Sequence, residues 1–140
     1  MTSRIPNIFN KNRSKNKKTF ISYLVCGDPS KDITLSAMHT MSKSGVDIIE
    51  LGIPFTDPIA DGPTIQKSID RSLKNNTSLH DVISVVKEFR KDNNDTAIVL
   101  MGYMNPVHKM GIAKFAKQIH DTAIDGCLLY TSDAADDYRS

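Results

Sequence analysis

The sequence has little of what marks membrane, secreted or metal-binding proteins. It contains no tryptophan, and its two cysteines, Cys26 and Cys127, suggest neither a clustered zinc site nor a disulfide framework. No apolar stretch approaches the roughly 20 residues that a membrane-spanning helix needs, and the N-terminus lacks the apolar core of a signal peptide. The formal net charge of +2 is too near neutral to indicate a polyanionic partner. What remains is the composition of an ordinary single-domain globular protein, for which we expect a cytoplasmic location.

Most of the basic excess lies in one short stretch near the N-terminus. Its members are Lys11, Arg13, Lys15, Lys17 and Lys18. Such a run could bind nucleic acid or serve as a targeting signal, or it could be a solvated linker before the first strand. No aromatic residue interleaves the run and no second basic cluster supports it, so we interpret it as a linker.

Short apolar runs alternate with amphipathic segments along the rest of the chain. Strands are predicted over residues 20–25, 46–51 and 97–101, with a fourth announced at Gly126. Helices are predicted over residues 30–44, 63–73, 78–89 and 111–120, with Ser30 and Ser78 as N-caps. The order is β-α-β-α-α-β-α-β. Strands that are apolar on both faces and alternate with helices indicate an α/β protein with a parallel sheet, either doubly wound or half of a (β/α)₈ barrel.

Glu50 stands at the C-terminal end of the second predicted strand, in the sequence VDIIELGIPF. Burying a carboxylate there is costly unless something compensates. In an α/β barrel the C-terminal strand ends face the active site, which makes Glu50 a candidate for general acid–base catalysis. A structural ion pair with a nearby lysine or arginine explains the position equally well.

Asp61 lies in a loop rich in proline and glycine, GIPFTDPIADGP, that follows the same strand. Proline restricts the conformations of such a loop and glycine allows close backbone approach. Loops after barrel strands often close over substrates. Taken alone, however, Asp61 is better explained as an Asx-turn residue before the helix at Pro63, and the same holds for Asp57.

Three segments resemble one known family. Residues 50–66, ELGIPFTDPIADGPTIQ, closely resemble the signature of tryptophan synthase α subunits. Residues 20–30, FISYLVCGDPS, are similar to the family's first strand and its Gly-Asp-Pro turn, and residues 100–107, LMGYMNPV, to its third strand and following loop. The resemblance runs from about residue 4 to residue 126. It implies that residues 1–126 form the N-terminal half of a (β/α)₈ TIM barrel.

The resemblance also implies an activity and roles for particular residues. The family is a carbon–carbon lyase of tryptophan biosynthesis that splits indole-3-glycerol phosphate into indole and glyceraldehyde 3-phosphate by a retro-aldol reaction. Glu50 matches the general acid–base residue, and Asp61 matches the acid that accepts a hydrogen bond from the indole N–H. Tyr23, Met101 and Tyr103 match wall positions around the indole, for which plain core packing is the alternative.

Four loop positions match those that meet the β subunit in the α₂β₂ complex. They are Pro54, Asp57, Pro58 and Asn105. The resemblance implies no metal and no organic cofactor for this subunit. The alternative enzyme hypothesis is a standalone homologue that releases indole without a β subunit.

After Gly126 the resemblance stops, and the chain continues as CLLYTSDAADDYRS instead of an apolar strand and an Asp-Leu-Pro turn. Residues 127–137 match one reading frame of a common transposase sequencing adaptor. We therefore interpret residues 127–140 as a non-native tail, with a divergent natural C-terminus as the alternative. Phosphate sites of barrels lie after the seventh and eighth strands, so by this interpretation the chain alone is an inactive fragment.

Overall fold

Four strands and six helices make up residues 3–131, the part of the chain that this computed structural model describes. The strands are β1 (Ile21–Val25), β2 (Ile48–Gly52), β3 (Ala97–Tyr103) and β4 (Gly126–Tyr130). The helices are α1 (Ile5–Ser14), α2 (Lys31–Lys43), α3 (Pro63–Lys74), α4 (Leu79–Asp92), α5 (Met104–Met110) and α6 (Ile112–Asp121). Every predicted strand and helix is present, and α1 and α5 are additions.

The four strands form one parallel sheet in the order β1-β2-β3-β4. The register sets Tyr23 beside Glu50, Glu50 beside Val99, and Val99 beside Gly126. Parallel neighbours need crossover connections, and the helices supply them. Strands that follow one another around the sheet in chain order are those of a barrel, because a doubly wound sheet reverses its strand order at a switch point.

The hydrophobic core lies between the sheet and the helices that cover one of its faces. Its fully buried members from β2, β3 and α4 are Ile49, Leu51, Ile98, Leu100, Val82, Val86 and Phe89, each 0% exposed. Complete burial of such a side chain stabilises the fold by about 1.5–3 kcal/mol relative to exposure. No helix within residues 3–131 combines the length and apolar character needed to span a membrane.

The helix ends follow the signals in the sequence. The Ser30 hydroxyl accepts a hydrogen bond from the Ile33 N–H and caps α2. Ser78 and Asp81 form a reciprocal capping box at the start of α4, and Pro63 occupies the first turn of α3. The predicted caps are therefore confirmed, because side-chain oxygens satisfy the amide groups that a helix leaves unpaired at its start.

Helix α1, which includes Lys11 and Arg13, shows that the linker interpretation is wrong for the first part of the basic run. Ile5 and Ile8 are half-buried and Asn12 is 5% exposed, a spacing that places all three on one side of the helix. The Arg4 N–H donates a hydrogen bond of 2.8 Å to Asp125 Oδ1 and anchors the helix start. That partner lies 121 residues away, so no local pattern reveals it. The five basic residues are exposed, as a solvated segment requires.

Helix α5 occupies residues that the sequence analysis left as a loop. Strand β3 continues to Tyr103, two residues beyond its predicted end. Pro106 then lies in the first turn of α5, where proline is tolerated, and Val107 is 1% exposed. Gly111 has φ +95° and separates α5 from α6. A helix of seven residues is too short for a recognisable hydrophobic period, which explains the omission.

Residues 127–130 lie in β4 and pair with β3, where Cys127 is the register partner of Leu100 and Tyr130 that of Tyr103. The interpretation of residues 127–140 as a non-native tail stays a prediction. Its remaining part, residues 132–140, lies outside the described residues.

Candidate active site

One face of the sheet, opposite the helix-covered core, carries four of the five predicted catalytic and substrate-binding residues. Register partners in a parallel ladder point to the same face, and side chains two apart along a strand share it. Tyr23 is the partner of Glu50, and Gly52, two residues further along β2, is the partner of Met101. Tyr103 lies two residues beyond Met101. The structure therefore brings Tyr23, Glu50, Met101 and Tyr103 together on one face, as the sequence analysis expected of a shared site.

The Glu50 carboxylate is half-buried in the middle of β2. Within residues 3–131 it makes no hydrogen bond and no ion pair, so the structural ion pair considered as an alternative is not found there. A carboxylate without a fixed partner keeps its oxygens available to a ligand.

Asp61 lies at the end of the loop between β2 and α3, and the Tyr103 hydroxyl holds its side chain. That hydroxyl donates a hydrogen bond of 2.7 Å to Asp61 Oδ2 and accepts one of 2.9 Å from the Ala60 N–H. The Asp61 carboxylate thus binds a residue of β3, 42 positions away. This long-range contact differs from the local Asx turn that the sequence alone favoured.

The Tyr23 hydroxyl reports the electrostatics of this face. Burial raises the pKa of Tyr23 well above its usual range, and the negative charges of Asp61 and Glu50 add to the shift. Glycine at position 52 makes room for the ring, because a Cβ there would lie 2.4 Å from the Tyr23 hydroxyl oxygen. The negative charges of both candidate catalytic carboxylates therefore favour the protonated, neutral form of the Tyr23 phenol.

Tyr103 is 5% exposed and stands between two other aromatic rings. The centroids of Phe55 and Tyr130 each lie 5.4 Å from that of Tyr103, tilted by 33°. Burial raises the pKa of Tyr103 to about 12, and the hydrogen bond to Asp61 adds to the rise. The hydroxyl is therefore protonated at neutral pH and able to donate.

The four predicted interface positions differ in accessibility. Asp57 and Asn105 are exposed, Pro58 is half-buried and Pro54 is buried. The Asp57 carboxylate accepts a hydrogen bond of 2.8 Å from the Thr56 hydroxyl. Three of the four are thus accessible to a partner in this conformation, whereas the Pro54 ring is covered by the protein itself.

Sequence reasoning missed two residues that shape the site. Phe55 packs against Tyr103, and the Gln66 carboxamide donates hydrogen bonds to the carbonyl oxygens of Asp61 and Pro58, at 2.8 Å and 3.4 Å. Both residues lie inside the family signature, which was the available signal. No cluster of three or more His, Cys, Asp or Glu side chains suited to a metal ion occurs among residues 3–131.

Parallel strands that are adjacent in chain order and joined by helices are the arrangement of (β/α) barrels. The family model described as "Tryptophan synthase alpha chain" matches residues 9–135. The chain belongs to the tryptophan synthase alpha chain family, and its fold is that of about half of the family's barrel.

Individual relatives agree with this assignment. The chain is 46% identical over 127 residues to the tryptophan synthase alpha chain of Nitrosomonas europaea, an alignment that covers 91% of this chain and 46% of the relative. It is 48% identical over 126 residues to that of Marinobacter nauticus, covering 90% and 47%. The crystal structure of tryptophan synthase subunit alpha from Legionella pneumophila superposes with a TM-score of 0.90 at 40% identity, covering 92% of this chain and 49% of that one. The chain thus spans about half the length of the relatives it matches.

Proposed function

We propose that this chain supplies the catalytic carboxylates of a carbon–carbon lyase in tryptophan biosynthesis, which cleaves indole-3-glycerol phosphate to indole and glyceraldehyde 3-phosphate. One observation carries the proposal. Glu50 lies on the sheet face that carries Tyr23 and Tyr103, and the Tyr103 hydroxyl donates a hydrogen bond of 2.7 Å to Asp61, so the two residues that match the family's catalytic positions lie beside the same face. One carboxylate without a fixed partner and one held by a hydroxyl suit a reaction that needs two acidic groups in two roles.

Glu50 is proposed to move the protons. The bond that breaks joins indole C3 to the first carbon of the glycerol chain, and it breaks only after C3 is protonated. Glu50 donates that proton and accepts the proton of the adjacent glycerol hydroxyl, whose oxygen becomes the aldehyde of glyceraldehyde 3-phosphate. The bonding electron pair returns to the ring and restores indole. The exchange balances without an oxidant or reductant, so the proposal calls for no metal or organic cofactor.

Asp61 is proposed to stabilise the charge that forms on the ring. Protonation at C3 makes the ring nitrogen iminium-like, and an anion that faces its N–H stabilises this state more than the neutral ground state. Asp61 Oδ2 already accepts the Tyr103 hydroxyl, whereas Oδ1 has no hydrogen bond within residues 3–131. Oδ1 is therefore the oxygen that we assign to the ring N–H.

Tyr23, Met101 and Tyr103 are proposed to line the indole site. Tyr23 and Met101 are half-buried on the sheet face that carries Glu50, and Tyr103 presents an aromatic surface beside Asp61. An indole ring stacked among such side chains would bury apolar surface and keep its N–H directed at a carboxylate.

The β subunit of tryptophan synthase is the proposed partner, in an α₂β₂ complex that receives the indole. The accessible interface positions are Asp57 and Pro58, in the loop after β2, and Asn105, in α5. Ile59, which follows Pro58, is 81% exposed. Pro54 also matches an interface position, and its burial requires the loop to move before its ring could meet a partner.

The test uses a hybrid chain, in which residues 1–126 are followed by the second half of the Nitrosomonas europaea relative. Indole release from indole-3-glycerol phosphate is measured with and without a β subunit. Because general acid–base catalysis is worth about 10²–10⁴-fold, Glu50→Gln should lower the turnover of the hybrid by about that factor without unfolding it. A hybrid variant that keeps more than about a tenth of the activity would contradict the role of Glu50.

The same assay tests two alternative hypotheses, that the parent enzyme works without a β subunit and that the 140-residue chain is inactive. Full indole release by the hybrid without a β subunit would favour a standalone enzyme. The 140-residue chain by itself is expected to be inactive, because Ile21 and Leu128 on the site face are 48% and 56% exposed and offer no packed pocket for the substrate. Measurable indole release by that chain would contradict this expectation.

A further inference from the structure

The loop that carries Asp61 leads directly into helix α3, and the Gln66 side chain of that helix folds back to hydrogen-bond the loop. The Gln66 Nε2 group donates to the carbonyl oxygen of Asp61 at 2.8 Å and to that of Pro58 at 3.4 Å. We propose that Gln66 is a positioning residue, which fixes the turn from Pro58 to Asp61 so that the Asp61 carboxylate faces the substrate. This inference rests on the function proposed above for Asp61.

The two carbonyl groups that Gln66 contacts are the two ends of a single turn. The Asp61 N–H donates to the Pro58 carbonyl oxygen at 3.1 Å, which closes the turn across Ile59 and Ala60. A primary amide has two N–H donors, so Gln66 can bind both ends at once. Its contacts therefore constrain the direction of the Asp61 backbone as well as the existence of the turn.

Helix α3 is a firm support for this side chain because its other end is tied to the segment after β1. The Ser72 hydroxyl donates to the carbonyl oxygen of Cys26 at 2.6 Å in a buried contact. Arg71 forms two hydrogen bonds of 2.7 Å with the Asp28 carboxylate. Gly27 has φ +86°, and a Cβ there would lie 2.7 Å from the Ser72 hydroxyl, so the fit of the helix against this segment is close.

Tyr103 completes the arrangement from the opposite side. Its hydroxyl bridges the Ala60 N–H and Asp61 Oδ2, at 2.9 Å and 2.7 Å. The sheet thus fixes one carboxylate oxygen of Asp61 while α3 fixes its backbone through Gln66. Together the two contacts leave Oδ1 as the carboxylate oxygen without a hydrogen bond within residues 3–131, and Oδ1 is the oxygen assigned above to the ring N–H.

The test compares Gln66→Glu with Thr64→Glu in the hybrid chain. Gln66→Glu keeps the shape of the side chain but places a carboxylate oxygen against two carbonyl oxygens, so the turn should be released. Thr64→Glu adds the same charge to the same exposed helix turn, and Thr64 makes no side-chain hydrogen bond within residues 3–131. Loss of hydrogen bonds of this kind predicts a fall in kcat of about five- to tenfold for Gln66→Glu, with KM and the unfolding midpoint nearly unchanged, and no such fall for Thr64→Glu.

A double-mutant cycle separates positioning of Asp61 from a general structural effect. In the Asp61→Asn background, Gln66→Glu should cost less than about twofold, because residues that act through one another are not additive. The same loss in both backgrounds, or an equal loss for Thr64→Glu, would overturn the inference.

Amide hydrogen exchange provides a readout that does not need activity. The Asp61 amide should exchange faster in Gln66→Glu than in Thr64→Glu, because release of the turn breaks its bond to the Pro58 carbonyl. Unchanged exchange would overturn the positioning role. If Glu50→Gln and Asp61→Asn both kept full activity while the exchange changed as expected, the proposed function would fail and the attachment of the loop by Gln66 would stand.

Discussion

Asp125 and Glu50 are carboxylates of neighbouring regions of one sheet, and their surroundings are opposite. The Asp125 side chain, just before β4, is 1% exposed and is paired with both Arg4 and Arg90, at 3.1 Å and 2.9 Å. It also accepts hydrogen bonds from the Arg4 and Ile98 amides, at 2.8 Å and 2.9 Å. Glu50 is half-buried inside β2, and its carboxylate makes no hydrogen bond or ion pair within residues 3–131.

The difference separates a carboxylate that stabilises the fold from one that is available for chemistry. Four donors occupy the oxygens of Asp125, and Arg90 in turn donates to the backbone carbonyls of Asn93, Thr96 and Ala123. Burial lowers the pKa of Arg90 to about 10, which leaves it charged at neutral pH. In barrels the end where strands begin usually serves stability and the end where they finish serves catalysis. Asp125 lies just before β4 begins, whereas Glu50 lies in the middle of β2 and Asp61 in the loop beyond its end.

The largest expected effect is a loss of stability on substitution of Asp125, the carboxylate with four donors. Asp125→Asn should destabilise the hybrid chain by about 3–5 kcal/mol, because it leaves the buried charge of Arg90 without its partner. Urea unfolding measures this loss. Glu50→Gln, which removes no contact, should stay within about 0.5 kcal/mol of the parent. Equal losses for the two variants would show that Glu50 has a structural role after all.

Asp61→Asn should have the next largest effect, and on rate alone. The positive charge that it faces develops mainly in the transition state, so kcat should fall by about 10²-fold while KM changes little. Steady-state kinetics of the hybrid chain provide the measurement. A rise in KM with unchanged kcat would mean that Asp61 only positions the ground state.

Tyr103→Phe should have a smaller effect on the same step. The ring and its contact with Phe55 remain, but Asp61 Oδ2 and the Ala60 N–H lose their shared partner. We expect kcat to fall by about three- to tenfold, which corresponds to one such hydrogen bond. If activity were unchanged, the orientation of Asp61 would have to be set by its backbone alone.

The smallest expected effect on stability comes from Asp81. This carboxylate lies at the same end of the strands as the site, but Lys31 and Ser78 are its fixed partners. Hydrogen bonds from Lys31 and then Ser78 lower the pKa of Asp81 to about 2. A depressed pKa contributes stability that is present above the ordinary value of 3.8 and is lost as the pH falls toward 2. Asp81→Asn should therefore lower the urea midpoint slightly at pH 7.

The pH dependence of that small effect is its check. The difference in midpoint between parent and Asp81→Asn should shrink between about pH 4 and pH 2, where the parent carboxylate gains its proton. A difference that stays constant through this range would trace the effect to the capping geometry and not to the charge. The outcome decides whether a structural carboxylate is recognised by its hydrogen-bond partners or by the end of the sheet at which it lies.

Much of the fold was predictable because its signals are local. Apolar runs gave the strands, and Ser30, Pro63 and Ser78 gave the starts of three helices, which need only neighbouring residues to form. Helix α1 was missed because its anchor, the contact of Arg4 with Asp125, joins distant parts of the sequence. Asp125 itself could be recognised only as a residue of the turn before the fourth strand.

The residues of the candidate site could be proposed from the sequence, but their contacts could not. The signature identified Glu50 and Asp61, and the two other matching segments gave Tyr23 and Tyr103. That these tyrosines share the face of Glu50 follows from the strand register and from the longer β3 of the structure. The bond from Tyr103 to Asp61 depends on the path of a ten-residue loop with no periodicity, from Ile53 to Gly62. For the same reason nothing in the sequence assigned Gln66 to the carbonyl groups of that loop.

The contact between Arg4 and Asp125 also determines when α1 can become stable during synthesis of the chain. A ribosome adds about 5–20 residues per second, so the 121 residues between these two positions take about 6–24 seconds to synthesise. Throughout that interval α1 exists without its anchor, and an isolated helix of ten residues is marginal in water. Helix α1 is made early but is therefore among the last elements to become stable.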